Sequence, residues 1–179
     1  MNRKFSLAIL CLLLTLAACV EDTAIDVETA TTFIDVDQIT AETDLAPVNG
    51  IRAAGQPTAD VLERFSEAGY AAVIDMRAED EDRGMDEKAV VESLGLDYIV
   101  LPVDDAEDVS FDTARRLDEL LSGYQQPVLV HCASGNRVGA LLALRANMAG
   151  VSDEGALEYG KQSGLTRLEP LVRERLESR

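Results

Sequence analysis

From residue 47 onward, short apolar runs alternate with segments whose apolar residues recur every three or four positions. Gly50 to Ala54 reads as a strand closed by a Gly55-Gln56-Pro57 turn. Thr58 is placed to cap a helix whose Val61, Leu62, Phe65 and Ala68 share one face, and Gly69 ends it. Ala71 to Met76 (AAVIDM) is an apolar, β-branched run of the kind that fills a central strand. A polar loop from Ala78 to Gly84 leads to a helix over 86–94, and Tyr98 to Val103 is the next strand. Ser110 caps a helix carrying Phe111, Ala114, Leu117 and Leu121; Pro127 to Val130 is a strand, and Arg137 to Met148 a helix. Two more helices are predicted, over 153–161 behind Ser152 and over 167–178 behind Thr166. Strands alternating with helices predict an α/β fold, a mostly parallel central sheet with helices on both faces.

The first 46 residues follow a different pattern. Arg3 and Lys4 precede an apolar stretch over 5–18, too short to span a bilayer and shaped like an export signal. It ends Leu16-Ala17-Ala18-Cys19, which resembles the lipobox of bacterial lipoproteins. That resemblance implies removal of 1–18, lipidation of Cys19 and a membrane partner through the lipid anchor. The expected location is the periplasmic face of a bacterial membrane. Val20 in place of Asp after the modified Cys points to the outer membrane. Residues 20–46 hold eight acids and no Lys or Arg, so 19–46 is expected to be an extended acidic tether and 47–179 the domain. Phe33, Ile34 and Val36 are the residues of that stretch able to dock as a short strand.

The chain has 179 residues, with 33 acids against 16 Lys and Arg and a formal charge of −17. Such a surface is repelled by phosphate backbones, so no nucleic-acid partner is expected. One His excludes multi-histidine metal sites, and Glu79-Asp80-Glu81-Asp82 lacks the glycine of a calcium loop and reads as a solvated run. No metal and no cofactor are expected. After loss of the leader, Cys132 has only the acylated Cys19 for company, and an unpaired thiol in an oxidising compartment has to be buried or used.

Its surroundings favour use. Between the strand Val128-Leu129-Val130 and the helix from Val138 lies His131-Cys132-Ala133-Ser134-Gly135-Asn136-Arg137. A strand-to-helix loop gathers backbone N–H groups at a helix N-terminus, which is an anion site. Gly135 permits the tight backbone it needs, and Arg137 offers a planar fork for two oxygens of a tetrahedral oxyanion. The donors that bind an anion also favour a thiolate, so the loop is built to hold a nucleophile beside its anionic substrate. His131 reads either as a satisfied histidine at a strand end or as the residue that orients the loop, and the two are compatible.

HCASGNR behind an apolar strand resembles the signature of cysteine-dependent phosphatases of the dual-specificity class. It is more similar still to the phosphatase-like domain of bacterial beta-lactamase hydrolase-like proteins. GIRAAGQPT, VIDMR, YIVLPVDD, VLVHCASGNRVGALLAL and GLTRLEP carry the likeness across most of 50–170. The resemblance implies a dual-specificity-phosphatase-like fold and attack of Cys132 on phosphorus. Phosphate would be bound by Ala133, Ser134, Gly135, Asn136 and Arg137, and the leaving oxygen protonated by Asp105, with Asp104 the alternative. The partner is then a small phosphorylated, or sulfur-bearing, substrate.

Two departures keep other functions open. Four residues separate Cys132 from Arg137 where the phosphatase signature has five, the spacing that rhodanese-type sulfurtransferases use to cradle a persulfide. Val138 follows the Arg where many phosphatases carry Ser or Thr, and Ser134 is the available substitute. The alternatives are therefore a sulfurtransferase with a persulfide on Cys132, or a module that binds phosphate without turnover. Arg77, at the end of the strand, either faces the pocket or pairs with an Asp of the 79–82 run, the pairing being preferred, and Gln56 is expected to be a turn residue at the border of the site.

Overall fold

A computed structural model describes residues 32–179. The stretch expected to be an export signal, 1–18, the expected lipidation site Cys19 and residues 20–31 lie outside the described residues. Five strands, β1 (Phe33–Ile34), β2 (Ile51–Ala54), β3 (Ala72–Asp75), β4 (Asp97–Val100) and β5 (Val128–His131), form one sheet in the order β1-β2-β5-β3-β4. Every pairing between them is parallel. The helices among the described residues are α1 (Ala59–Glu67), α2 (Glu87–Ser93), α3 (Phe111–Ser122), α4 (Asn136–Met148), α5 (Asp153–Gln162) and α6 (Glu169–Glu177).

Strand periodicity distributes the core between two layers. Ala54, Val73 and Leu129 pack with Val61, Leu62, Phe65 and Val91 of α1 and α2 on one face. Ile51, Ala53, Ala72, Ile74, Val128 and Val130 pack with α3 to α6 on the other. The helices start where the chain supplies a cap: Thr58, Asp86, Ser110 and Ser152 each accept a backbone N–H from the first turn of α1, α2, α3 and α5.

Two expectations are corrected. The acidic stretch is not a free tether from residue 32 on. Phe33 and Ile34 pair with Ala53 and Ala54, and Leu45 is buried under the Tyr70 hydroxyl, which donates to the Leu45 carbonyl at 2.7 Å. Asp35, Asp37, Glu42 and Asp44 are exposed, so solvated acids and docked apolar residues interleave where composition alone suggested a solvated segment. Val36 does not extend the strand; Asp35 caps a 3₁₀ turn over Val36–Gln38. The last helix starts at Glu169 behind Leu168, because Thr166 turns its hydroxyl and its N–H to Asn136 Oδ1, at 3.1 and 2.8 Å, and caps nothing.

β5 lies between β2 and β3, where the order of strands reverses, and the crevice beyond strand C-termini at such a point is where open α/β sheets bind ligands. The loop that follows β5 is the one carrying Cys132. No helix among the described residues is long and apolar enough to cross a membrane.

Candidate active site

The loop is pinned from both sides. Cys132 N–H donates to the Ala54 carbonyl at 3.4 Å, and Gln56 N–H donates to the Ala133 carbonyl at 3.3 Å, which ties Ser134 to Gly55. Gly135 turns the chain into α4 at φ 80°, a left-handed backbone that excludes most side chains; an added Cβ would also strike the Phe33 ring. Asn136 and Arg137 are the first residues of α4, so the amides around 133–137 belong to a helix N-terminus whose first N–H groups have no intrahelical acceptor. The Cys132 side chain is fully buried, Val138 behind it is core, and Ser134 is exposed beside Phe33, Asp35 and Gln56.

Arg137 is held more firmly than its sequence suggests. Its Nη1 and Nη2 meet the two oxygens of Glu81 at 2.5 and 2.8 Å, and Nη1 also donates to the carbonyls of Val103 at 3.2 Å and Met76 at 3.4 Å. Cys132, on the same loop, also favours the charged form of the Arg137 guanidinium. Glu81 in turn accepts from Arg77 Nε at 3.1 Å and from the Ala78 N–H at 2.8 Å. The Arg137 hydrogen bonds draw the Glu81 carboxyl down to about 2, and Glu81 holds Arg137 above its ordinary value. A carboxyl lowered in the folded protein contributes stability above its unfolded value near 4.5, and loses it as pH falls through about 2. The link is therefore complete throughout pH 5–8. The Glu79–Asp82 run is thus not merely solvated: Arg77 pairs with Glu81, not with one of its Asp side chains. Glu81→Gln should misplace the fork and raise KM for an aryl phosphate about tenfold to a hundredfold, with melting little changed, as steady-state kinetics and thermal denaturation would show. An unaltered KM would leave Glu81 a structural tie only.

His131 lies over a buried charged network. In the parallel register it stands between Ala54 and Asp75, on the face covered by α1 and α2. Nε2 is 2.8 Å from Glu87 Oε1 and 3.8 Å from Asp75 Oδ1, with all three side chains buried. Arg83 Nε sits 2.5 Å from Asp75 Oδ2 and 3.8 Å from Glu87 Oε2, and the Tyr98 hydroxyl donates to Asp75 Oδ2 at 2.7 Å. Burial, then Asp75, pushes the Tyr98 hydroxyl well above its ordinary value. Gln56 joins the network to the loop, donating to Glu87 Oε2 at 2.9 Å while accepting from Arg77 Nη1 at 2.5 Å. Gln56 is thus a bridge, which its place in a turn did not reveal. Donor atoms of Asp75, Glu87 and His131 lie within 4.8 Å of one another, but Arg83 already supplies the positive charge there.

The expected acids reach the same place by another route. Asp104 and Asp105 line a cleft of about 370 Å³ with Val103, Arg137, Arg167 and Leu168. Asp105 Oδ1 accepts the N–H of Glu107 at 3.0 Å and of Asp108 at 3.3 Å, while Asp108 Oδ2 accepts that of Asp104 at 2.8 Å. The carboxylates thus shape their own loop on the wall of the cleft that holds Arg137.

The profile of a family described as a DSP-PTPase phosphatase fused to NAD+ kinase matches residues 26–167. Among solved structures, a candidate phosphatase (nma1982) from Neisseria meningitidis is 24% identical with a TM-score of 0.61, covering 72% of this chain and 92% of its own. A candidate phosphatase of the DUF442 group from Shewanella putrefaciens is 20% identical with a TM-score of 0.58, over 76% of this chain and 86% of its own. TpbA of P. aeruginosa, solved in complex with phosphotyrosine, is 19% identical with a TM-score of 0.52, over 70% of this chain and 77% of its own. These likenesses show the fold, an α/β domain of the dual-specificity and tyrosine phosphatase type. No curated protein matches the chain.

Proposed function

The chain belongs to the family of DSP-PTPase phosphatases described as fused to NAD+ kinase, and we propose that it hydrolyses phosphate monoesters through a phosphocysteine on Cys132. The observation that carries the reading is the convergence of Cys132, the N-terminus of α4 and a doubly anchored Arg137 on one loop. The Cys132 thiolate attacks phosphorus, an S–P bond forms, and the bond to the leaving oxygen breaks. Asp105 gives that oxygen its proton. Water then attacks phosphorus, the Asp105 carboxylate takes a proton from it, the S–P bond breaks, and inorganic phosphate leaves. The amides of Ala133, Ser134, Gly135 and Asn136, with Arg137, hold the three equatorial oxygens in both steps. His131 fixes the start of the loop from Glu87 and Asp75.

Asp105→Asn tests the acid. It should lower kcat for phenyl phosphate about a hundredfold, the scale of a lost general acid. The loss should be much smaller for 4-nitrophenyl phosphate, whose leaving oxygen needs no proton. Equal losses for both esters would transfer the role to Asp104 or remove it. The short Cys132-to-Arg137 spacing favours, as a second reading, a sulfurtransferase with a persulfide on Cys132. The lipobox-like Leu16-Ala17-Ala18-Cys19 supports placing the domain on the periplasmic face of a membrane through lipid on Cys19.

A further inference from the structure

Arg167 has no role in the reaction just described. It is exposed and forms no ion pair or hydrogen bond with a described residue, in a chain where Arg77, Arg83, Arg137, Arg145 and Arg173 are all paired with acids. It nonetheless lines the 370 Å³ cleft that holds Arg137 and Asp105. Its place there is fixed by the phosphate loop itself. Asn136, 7% exposed, accepts at Oδ1 from the Thr166 N–H at 2.8 Å, the Thr166 hydroxyl at 3.1 Å and the Leu168 N–H at 3.3 Å. The three-residue turn carrying Arg167 is therefore fastened to the residue next to Arg137. Of the two acids that share this cleft, Asp105 accepts backbone N–H groups of its own loop, and neither Asp104 nor Asp105 forms an ion pair with a described residue.

We propose that Arg167 is a second anion subsite, and that the substrate is a phosphate monoester carrying a further oxyanion beyond the scissile group. The inference rests on the phosphatase reading and narrows it to a substrate class. A guanidinium fork takes carboxylate and phosphoryl oxygens alike. In a protein with 33 acids, one open cation beside the catalytic Arg selects for such substrates against esters whose scissile phosphate is their only anionic group.

Three aryl phosphates test it: 4-methylphenyl, 4-(carboxymethyl)phenyl and 4-(phosphonomethyl)phenyl phosphate. The methylene insulates the added charge, so the three phenols leave with similar ease. The protein should show a KM about five- to tenfold lower for at least one of the two esters that carry an added anionic group, the worth of an exposed charged hydrogen bond. The carboxylate and phosphonate arms tell which oxyanion is preferred. The preference should shrink at high salt and vanish in Arg167→Gln. It should persist in Arg116→Gln, which removes an exposed cation of α3. Equal KM values for the three esters, or a preference that survives Arg167→Gln, would overturn the subsite. Loss of the preference in Arg116→Gln as well would assign it to net charge. If no ester is hydrolysed, the phosphatase reading fails by itself, and calorimetric binding of the same esters to Cys132→Ser protein still decides the role of Arg167.

Discussion

Cys132→Ser should abolish hydrolysis of aryl phosphates, by at least about ten-thousandfold in kcat, the scale of losing a covalent nucleophile. The substitution exchanges sulfur for oxygen in a fully buried site whose surroundings are set by other groups. Ala54 still receives the N–H of residue 132, and Gly135 still turns the chain into α4. Arg137 remains on Glu81 and on the Val103 and Met76 carbonyls. The variant should therefore melt close to the parent and keep its affinity for inorganic phosphate. Steady-state kinetics, thermal denaturation and calorimetry check the three parts separately. Hydrolysis within about a hundredfold of the parent would mean that another group attacks phosphorus.

The second large effect is on stability. Glu87→Ala should cost about 3–5 kcal/mol, the loss that follows when one partner of a buried charged network is removed. Glu87 is 1% exposed and meets His131 at 2.8 Å, Gln56 at 2.9 Å and Arg83 at 3.8 Å. Its removal leaves the Gln56 amide and part of the Arg83 charge without an acceptor and opens a void beside the His131 ring. For a domain of this size the melting temperature should fall on the order of 10 °C. Glu92→Ala, on an exposed acid of the same helix, should change stability by less than about 0.5 kcal/mol. Similar melting of the two variants would show that the network contributes little to the fold.

The secondary structure was largely legible because amphipathic helices such as α1 and α3 bury one apolar stripe and the central strands, covered on both faces, read as short apolar runs. The run Ala71–Met76, apolar but for Asp75, and the stripe on α3 needed no tertiary information. Docking of Phe33 and Ile34 was open to the sequence as a short strand, but burial of Leu45, an isolated apolar residue next to exposed Asp44, depends on the Tyr70 it meets. The nucleophile loop was legible because its chemistry is contiguous in sequence. The residues that hold it are not. Glu81 is one acid in a run of four, and only its position four residues beyond Arg77, in reach of Arg137, distinguishes it. Asp75 did carry a local signal, a carboxylate inside an otherwise apolar buried strand, which demands a buried partner. Asn136 reaches 166–168 across thirty residues of chain, and nothing local marks that contact.

The central claim is that Cys132 takes up a phosphoryl group, and intact-mass analysis of acid-quenched protein tests it directly. Protein mixed with excess aryl phosphate and quenched within the first turnovers should carry one phosphoryl group on Cys132, and Asp105→Asn should carry it with a slow-leaving ester only at longer times. Incubation with thiosulfate should leave the Cys132 mass unchanged. A Cys132 that stays unmodified with aryl phosphates and gains one sulfur atom from thiosulfate would contradict the account, and would make the loop the cradle of a persulfide.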